Sequence, residues 1–280
     1  MKKYLVTLLF CALGAQSVQA VEATLEQQAE SRLISAFGPR LEVRAAERVA
    51  GKQMLEITLI DGTLIHMTPD MNYFIYRDEL FQLTAGEAVN VTQSRLSPKR
   101  LDSMKKIKDS DTVFFAAKGK QKAVINVFTD IECGFCQKLH LEVPKLNEMG
   151  IAVRYLAFPR AGVKDRSGQY TDAYRKIDAV WCADDRTDTM TTMKSLQRNL
   201  GLAAQKAQQG NSGAEKDYYE QEAKMNKVLA SAKQCQSPVA EQYELGHVLG
   251  VTGTPAIITE KGELIPGYMP AEELAKRIGL

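Results

Sequence analysis

Two cysteines, Cys133 and Cys136, are the residues of this 280-residue chain best suited to chemistry. They stand in the stretch Thr129-Asp130-Ile131-Glu132-Cys133-Gly134-Phe135-Cys136. An apolar, β-rich run, Ala123-Val124-Ile125-Asn126-Val127-Phe128, leads in, and a helix-like run, Gln137-Lys138-Leu139-His140-Leu141-Glu142-Val143, leads out. The pattern predicts a Cys-x-x-Cys at a strand-to-helix junction. A thiol there meets unpaired backbone N–H groups and the positive end of the helix dipole, both of which favour an anion. The thiolate is the attacking species in disulfide exchange, and such a position lowers a cysteine pKa. The second thiol, on the first helical turn, can reach the first and close a disulfide. The chemistry on offer is therefore thiol–disulfide exchange, with Cys133 and Cys136 as candidate catalytic residues.

The flanking sequence must hold this pair. Cys136 to Met149 reads as a helix, with Pro144 expected to kink it. Ile151 to Phe158 reads as the next strand, reached through Gly150. A strand–helix–strand setting is what makes a lone Cys-x-x-Cys informative. Arg166 to Gln236 is rich in Ala, Gln, Lys, Asp and Thr and predicts several helices, broken near Gly201 and near Gly210-Asn211-Ser212-Gly213. Cys182 and Cys235 lie in this region. Pairing them would close a loop of about 54 residues and stabilise the fold by roughly 4 kcal/mol in the chain-entropy model. The alternatives are a second redox pair or a zinc site made of all four thiols, although zinc usually takes two closely spaced ligand pairs and only one is present. Val239 to Leu249 reads as helix, and Gly253-Thr254-Pro255 then precedes a strand at Ala256-Ile257-Ile258-Thr259. A proline just before a strand is awkward unless it has a task. A cis Thr254–Pro255 bond would be one, aiming backbone groups and the Thr254 hydroxyl at the cysteines; an ordinary trans turn is the other reading. Leu264-Ile265-Pro266-Gly267-Tyr268 pairs back, and Ala271 to Ile278 is a last helix.

The first part of the chain carries other signals. Lys2 and Lys3, the apolar run Tyr4 to Leu13 and the small-residue end at Ala20 read as a signal peptide over residues 1–20. The run is too short to span a bilayer of about 30 Å. The mature chain is expected to be exported and soluble, in a compartment that permits disulfides. Cleavage removes Cys11 and two lysines, so the formal charge of +2 falls to neutral. A neutral, mixed surface makes no case for binding nucleic acid. Residues 21–84 predict a small α+β domain. Its helix spans Val21 to Phe37, a first strand lies within Leu41 to Val49, and hairpins turn at Asp61-Gly62 and Arg77-Asp78. A unit this small is marginal alone, and oligomerisation would bury its apolar face. Residues 85–111 read as a linker helix whose basic run, Arg95 to Lys108, forms a solvated face. Residues 112–280 form the domain that carries the cysteines, with its helical insertion at about 165–240. His66 reads as an ordinary sheet residue, His140 as a helix-surface residue and His247 as structural.

Taken together, Phe128-Thr129-Asp130-Ile131, the Cys133 to Cys136 motif, Gln137-Lys138-Leu139-His140, Val153-Arg154-Tyr155-Leu156-Ala157-Phe158-Pro159-Arg160, Trp181-Cys182-Ala183 and Gly253-Thr254-Pro255-Ala256 resemble the DsbC/DsbG family of periplasmic disulfide isomerases, nearer the DsbC type. The resemblance covers the mature chain and is sharpest from Val124. It implies an α/β fold: a thioredoxin-like catalytic domain with a helical insertion, plus a cystatin-like N-terminal dimerisation domain. It also implies a V-shaped homodimer whose cleft binds misfolded or mis-bridged exported proteins. Cys133 would be the exposed nucleophile and Cys136 the resolving thiol. Thr254 and cis-Pro255 would line the substrate face, and Cys182 and Cys235 would form a structural bridge. A membrane reductase of the DsbD type would keep the pair reduced. No cofactor and no metal are implied. Two departures bear on the thiols: Phe135 stands where the DsbC type usually has Tyr, and Glu132 where the family often has Thr. A carboxylate beside Cys133 disfavours the thiolate unless it points into water. The stretch between Asp184 and Cys235 is longer than usual. A dedicated oxidase or reductase on the same fold, and a non-enzymatic holdase, are the competing functions.

Overall fold

The computed structural model describes residues 23–84 and 86–280. The signal peptide expected over residues 1–20, with Cys11, lies outside the described residues. The described residues fall into two compact units, divided between Val91 and Thr92.

The first unit opens with helix α1 (Leu25–Phe37). Thr24 and Gln27 cap it reciprocally, each side chain bonding the other's backbone N–H, and Gly38 ends it at φ 88°. Six strands follow in sequence order as an antiparallel meander: β1 (Val43–Val49), β2 (Met54–Leu59), β3 (Leu64–Met67), β4 (Tyr73–Tyr76), β5 (Glu79–Thr84) and β6 (Glu87–Asn90). Alternation puts Leu55, Ile57, Ile65, Met67 and Phe74 on one face, where they meet Ala29 and Leu33 of α1. Arg77 and Asp78, both at positive φ, make the two-residue turn between β4 and β5. Strand β6 corrects the sequence reading, which placed this stretch in a linker. Glu87-Ala88-Val89-Asn90 is too short and polar to show a period, yet it pairs with β5 across Gln82↔Val89. His66 stands 3.1 Å from the Glu56 carboxylate on the neighbouring strand.

The second unit holds most of α2 (Val91–Lys106), then β7 (Val113–Phe115), β8 (Ala123–Thr129), α3 (Gly134–Glu148) and β9 (Ile151–Ala157). Helices α4 (Asp172–Trp181), α5 (Arg186–Gln208) and α6 (Ala214–Ala230) form the insertion, and α7 (Val239–Val248), β10 (Ala256–Ile258), β11 (Leu264–Pro266) and α8 (Ala271–Ile278) complete the unit. The sheet order is β11-β10-β8-β9-β7, with β8 and β9 parallel and the other pairs antiparallel. Strands β8 and β9 are almost wholly buried, as expected where helices cover both faces of a parallel pair. Trp181 is fully buried and donates its indole N–H to the Asp111 carbonyl at 2.9 Å. A core tryptophan of this kind contributes about 3–5 kcal/mol against alanine.

Two further expectations are corrected here. Helix α5 runs unbroken through Gly201. A single helical glycine costs only about 1 kcal/mol, and the buried Leu196, Leu200 and Ala203 beside it outweigh that. The basic face of α2 is not wholly solvated. Arg100 is buried, donating from Nε to the Leu249 carbonyl at 2.9 Å, because its long apolar stem packs while its head finds oxygen partners. Among the described residues, no helix is long and apolar enough to cross a membrane.

Candidate active site

Strand β8 ends at Thr129, and after three intervening residues Cys133 caps α3. The connecting loop is pinned from beneath. Asp130, itself buried, accepts from the Glu132 N–H at 2.7 Å and from the Arg160 N–H at 2.8 Å. The Arg160 side chain adds an ion pair at 3.2 Å. Gln137 Nε2 donates to the Ile131 carbonyl at 3.0 Å. The loop is thus fixed at its acidic end and at its helical end.

Cys133 has an extended backbone, φ −79° and ψ 116°, and its carbonyl accepts the first helical bond, from Gln137 N–H at 3.0 Å. Cys133 is therefore the N-cap of α3, at the positive end of the helix. Thr254 precedes Pro255 through a cis peptide bond, and the Thr254 carbonyl accepts from the Cys133 thiol at 3.1 Å. The Thr254 hydroxyl is buried without a hydrogen-bond partner in this arrangement and is placed to donate to the sulfur once it ionises. The structure thus brings Cys133, Cys136, Thr254 and Pro255 together.

The two thiols differ in state. The pKa of Cys133 is lowered to about 5 by a hydrogen bond from the Cys136 thiol, by Thr254 and by the Arg160 charge, all acting against burial. Burial pushes the Cys136 thiol well above its ordinary value, and its bond to Cys133 adds to this. One sulfur is an anion at neutral pH while its neighbour keeps a proton. One expectation changes: Cys133 keeps only 3% of its surface, so it is not broadly exposed. The Thr254–Pro255 loop covers it. Cys136 is more enclosed still, at 0%. The exposed group between them is Phe135, at 63%.

Glu132 does not stand uncompensated beside Cys133. Its carboxylate meets Lys176 of α4 at 2.7 Å. His140 is also corrected, from helix surface to interior. It lies within 3.1 Å of both the Tyr155 hydroxyl and the Thr191 hydroxyl, and burial, with the Lys194 charge, pushes it down to about 3. It is a neutral imidazole. Cys182 and Cys235 are bonded to each other across 53 positions, away from the reactive pair. Sequence reasoning did not single out Asp130, Arg160 or Lys194. An acidic residue ending an apolar strand was a usable signal for Asp130; nothing local marks Lys194, 65 positions from Thr129.

Comparison with known proteins agrees with this chemistry. Residues 111–279 match the thioredoxin-like domain family. The thiol:disulfide interchange protein DsbC of Escherichia coli (strain K12) is 30% identical over 269 residues, spanning 95% of this chain and 92% of its own. The protein of the same name from Pasteurella multocida (strain Pm70) is 31% identical, covering 99% of both chains. A crystal structure of a disulfide interchange protein from Neisseria gonorrhoeae aligns at 24% identity with a TM-score of 0.42, over 61% of this chain and 96% of that one. With thiols of opposite character at a helix start in a thioredoxin-like sheet, and relatives matched along nearly their whole length, the chain belongs to the DsbC family of thiol:disulfide interchange proteins, thiol-disulfide oxidoreductases of the isomerase type.

Proposed function

We propose that Cys133 is the nucleophile and Cys136 the resolving thiol of an isomerase that re-sorts wrong disulfides in exported proteins of the periplasm. The observation that carries this is the low pKa of the Cys133 sulfur, about 5, beside a thiol held protonated. The Cys133 thiolate attacks one sulfur of a substrate disulfide. A Cys133–substrate bond forms, and the other substrate sulfur leaves as a thiolate that can attack elsewhere in its own chain. When the substrate does not rearrange, Cys136 attacks Cys133, closing the Cys133–Cys136 disulfide and releasing the substrate thiol. Thr254 and Pro255 form the substrate face beside the sulfur, and exposed Phe135 offers apolar contact to unfolded chain. The Cys182–Cys235 bridge is structural and takes no part in exchange.

The resemblance to the family extends this reading to a homodimer joined through the N-terminal unit and kept reduced by a membrane reductase of the DsbD type. Exposed Ile60, Leu64 and Ile75 on that unit support a dimer-forming surface. The test is reactivation of a scrambled, multi-disulfide protein by the purified reduced chain, with its size in solution measured alongside. Reactivation by a dimer, lost in Cys133→Ser, is the expected result. Failure of the wild type to reactivate would overturn the reading, and a monomer would favour a dedicated oxidase or reductase.

A further inference from the structure

One buried cation, Lys194, has no part in the exchange steps described above. Lys194 stands on α5, inside the insertion, and its side chain crosses to the end of β8. Nζ donates to Thr129 Oγ1 at 2.9 Å and to the Asp130 carbonyl at 3.3 Å, and lies 5.5 Å from the centre of the Tyr155 ring. Its exposure is 2%, and Thr129 and Cys136 have none. The nearby Asp130 carboxylate turns to Arg160 instead. The ammonium is therefore held by neutral oxygens and a ring. A buried charge whose hydrogen-bond partners are all neutral is costly, so negative charge is expected within reach.

The Thr129 hydroxyl supplies the connection. It accepts from Lys194, and both the hydroxyl and the Lys194 charge favour the ionised form of the Cys136 sulfur. With Oγ1 already accepting from Nζ, the hydroxyl proton is free to turn to Sγ when Cys136 ionises, giving a chain with its positive end on the lysine and its negative end on the sulfur. Such a chain favours an anion at Cys136.

We propose that Lys194, acting through Thr129, is the positioning residue that lets the enclosed Cys136 ionise when it must attack the mixed disulfide. The proposal rests on the reading of Cys136 as the resolving thiol. In that step Cys136 gives its proton to water and its sulfur attacks Cys133. The Cys133–Cys136 bond forms as the Cys133–substrate bond breaks. Both electrons of the broken bond leave with the substrate sulfur, which takes a proton from water. Neither oxidant nor reductant is consumed. A cavity of about 210 Å³, lined by Gln137, His140, Thr191, Lys194 and Arg198 among others, reaches the lysine.

The surrounding charges allow this assignment. Burial draws the Lys194 pKa down, while the charges of Cys136, Asp130 and Cys133 oppose it. Lysine and thiolate therefore stabilise each other. From α3, His140 faces the site as a neutral group. From β9, the Tyr155 phenol is held protonated by burial. Arg160 is engaged by Asp130, and Lys176 of α4 by Glu132.

The test separates the two exchange steps with an aromatic disulfide reagent that releases a coloured thiol. Wild-type reduced protein should give a fast first release, from attack by Cys133, and then a second, from attack by Cys136 on the mixed disulfide. Lys194→Met should slow the second release about three- to fourfold, as expected if the Cys136 pKa rises by about one unit and the loss of thiolate is partly offset by its greater nucleophilicity, and shift its pH profile upward. The slowing should fall mainly on the second phase. Thr129→Val, which keeps the lysine and the side-chain shape, should slow the same phase. The double variant should be no slower than the slower single one, because both act on a single path. The Thr129 variant carries the test if Lys194→Met does not fold. An unchanged second phase in both variants would overturn the proposal and leave the reading of Cys133 intact. Absence of a fast first phase in the wild type would remove both.

Discussion

The four cysteines of the second unit form two pairs with opposite fates. Cys133 and Cys136 lie one helical turn apart at the start of α3 and are free; Cys182 and Cys235 lie 53 positions apart and are bonded. Burial does not explain the difference, since the reactive Cys133 and Cys136 are both buried while the bridge joins buried Cys182 to exposed Cys235. What separates them is local. The first pair sits where a helix begins, beside the Thr254–Pro255 loop and the Arg160 charge, and its two thiols are driven to opposite protonation states. The second joins the end of α4 to the stretch beyond α6, where a cross-link closes a long loop. A cysteine becomes reactive here through what its sulfur hydrogen-bonds to, and becomes a brace through the length of chain it ties.

The comparison can be broken in four ways. The largest effect is expected from Cys133→Ser, which should abolish reactivation of a scrambled substrate; activity surviving that change would dissolve the distinction between the pairs. Replacing Cys182 and Cys235 together with serine should instead lower unfolding stability in urea by about 4 kcal/mol, the loop-closure value for this separation, while exchange persists in the molecules that remain folded. A third outcome concerns pH. A thiol whose folded pKa is depressed stays ionised until acid titrates it, so alkylation of Cys133 in the reduced protein should be nearly constant at neutral pH and fall by half near pH 5. In the same sense, this thiol contributes stability to the reduced form above the unfolded cysteine pKa, and that contribution is lost as pH falls toward about 5. The smallest effect belongs to Lys176→Met. Freeing the Glu132 carboxylate beside the nucleophile should raise the Cys133 pKa by less than about one unit, read from the same alkylation profile.

Much of this was legible in the sequence, and the parts that were not share a cause. The strand entering Cys133 and the helix leaving it follow from an apolar run meeting Gly134 and an amphipathic stretch, and the meander follows from alternation between turn residues. Strand β6 was hidden because four residues with two polar ends show no period. Gly201 suggested a break because propensity is local, while the burial that keeps α5 whole comes from other elements. Arg100, His140 and Lys194 were invisible for the same reason. Each looks like a surface residue on its own helix and is buried only because a distant element arrives over it. The charge that reaches Thr129 is supplied from 65 positions away.

Exchange at this site depends on the Cys133 sulfur being an anion at neutral pH. Titrating the ultraviolet absorbance of the thiolate in the reduced protein, with Cys133→Ser as the blank, tests it most directly. The expected result is a transition near pH 5 that the variant lacks. A transition at the ordinary cysteine value, about 8.5, would contradict it.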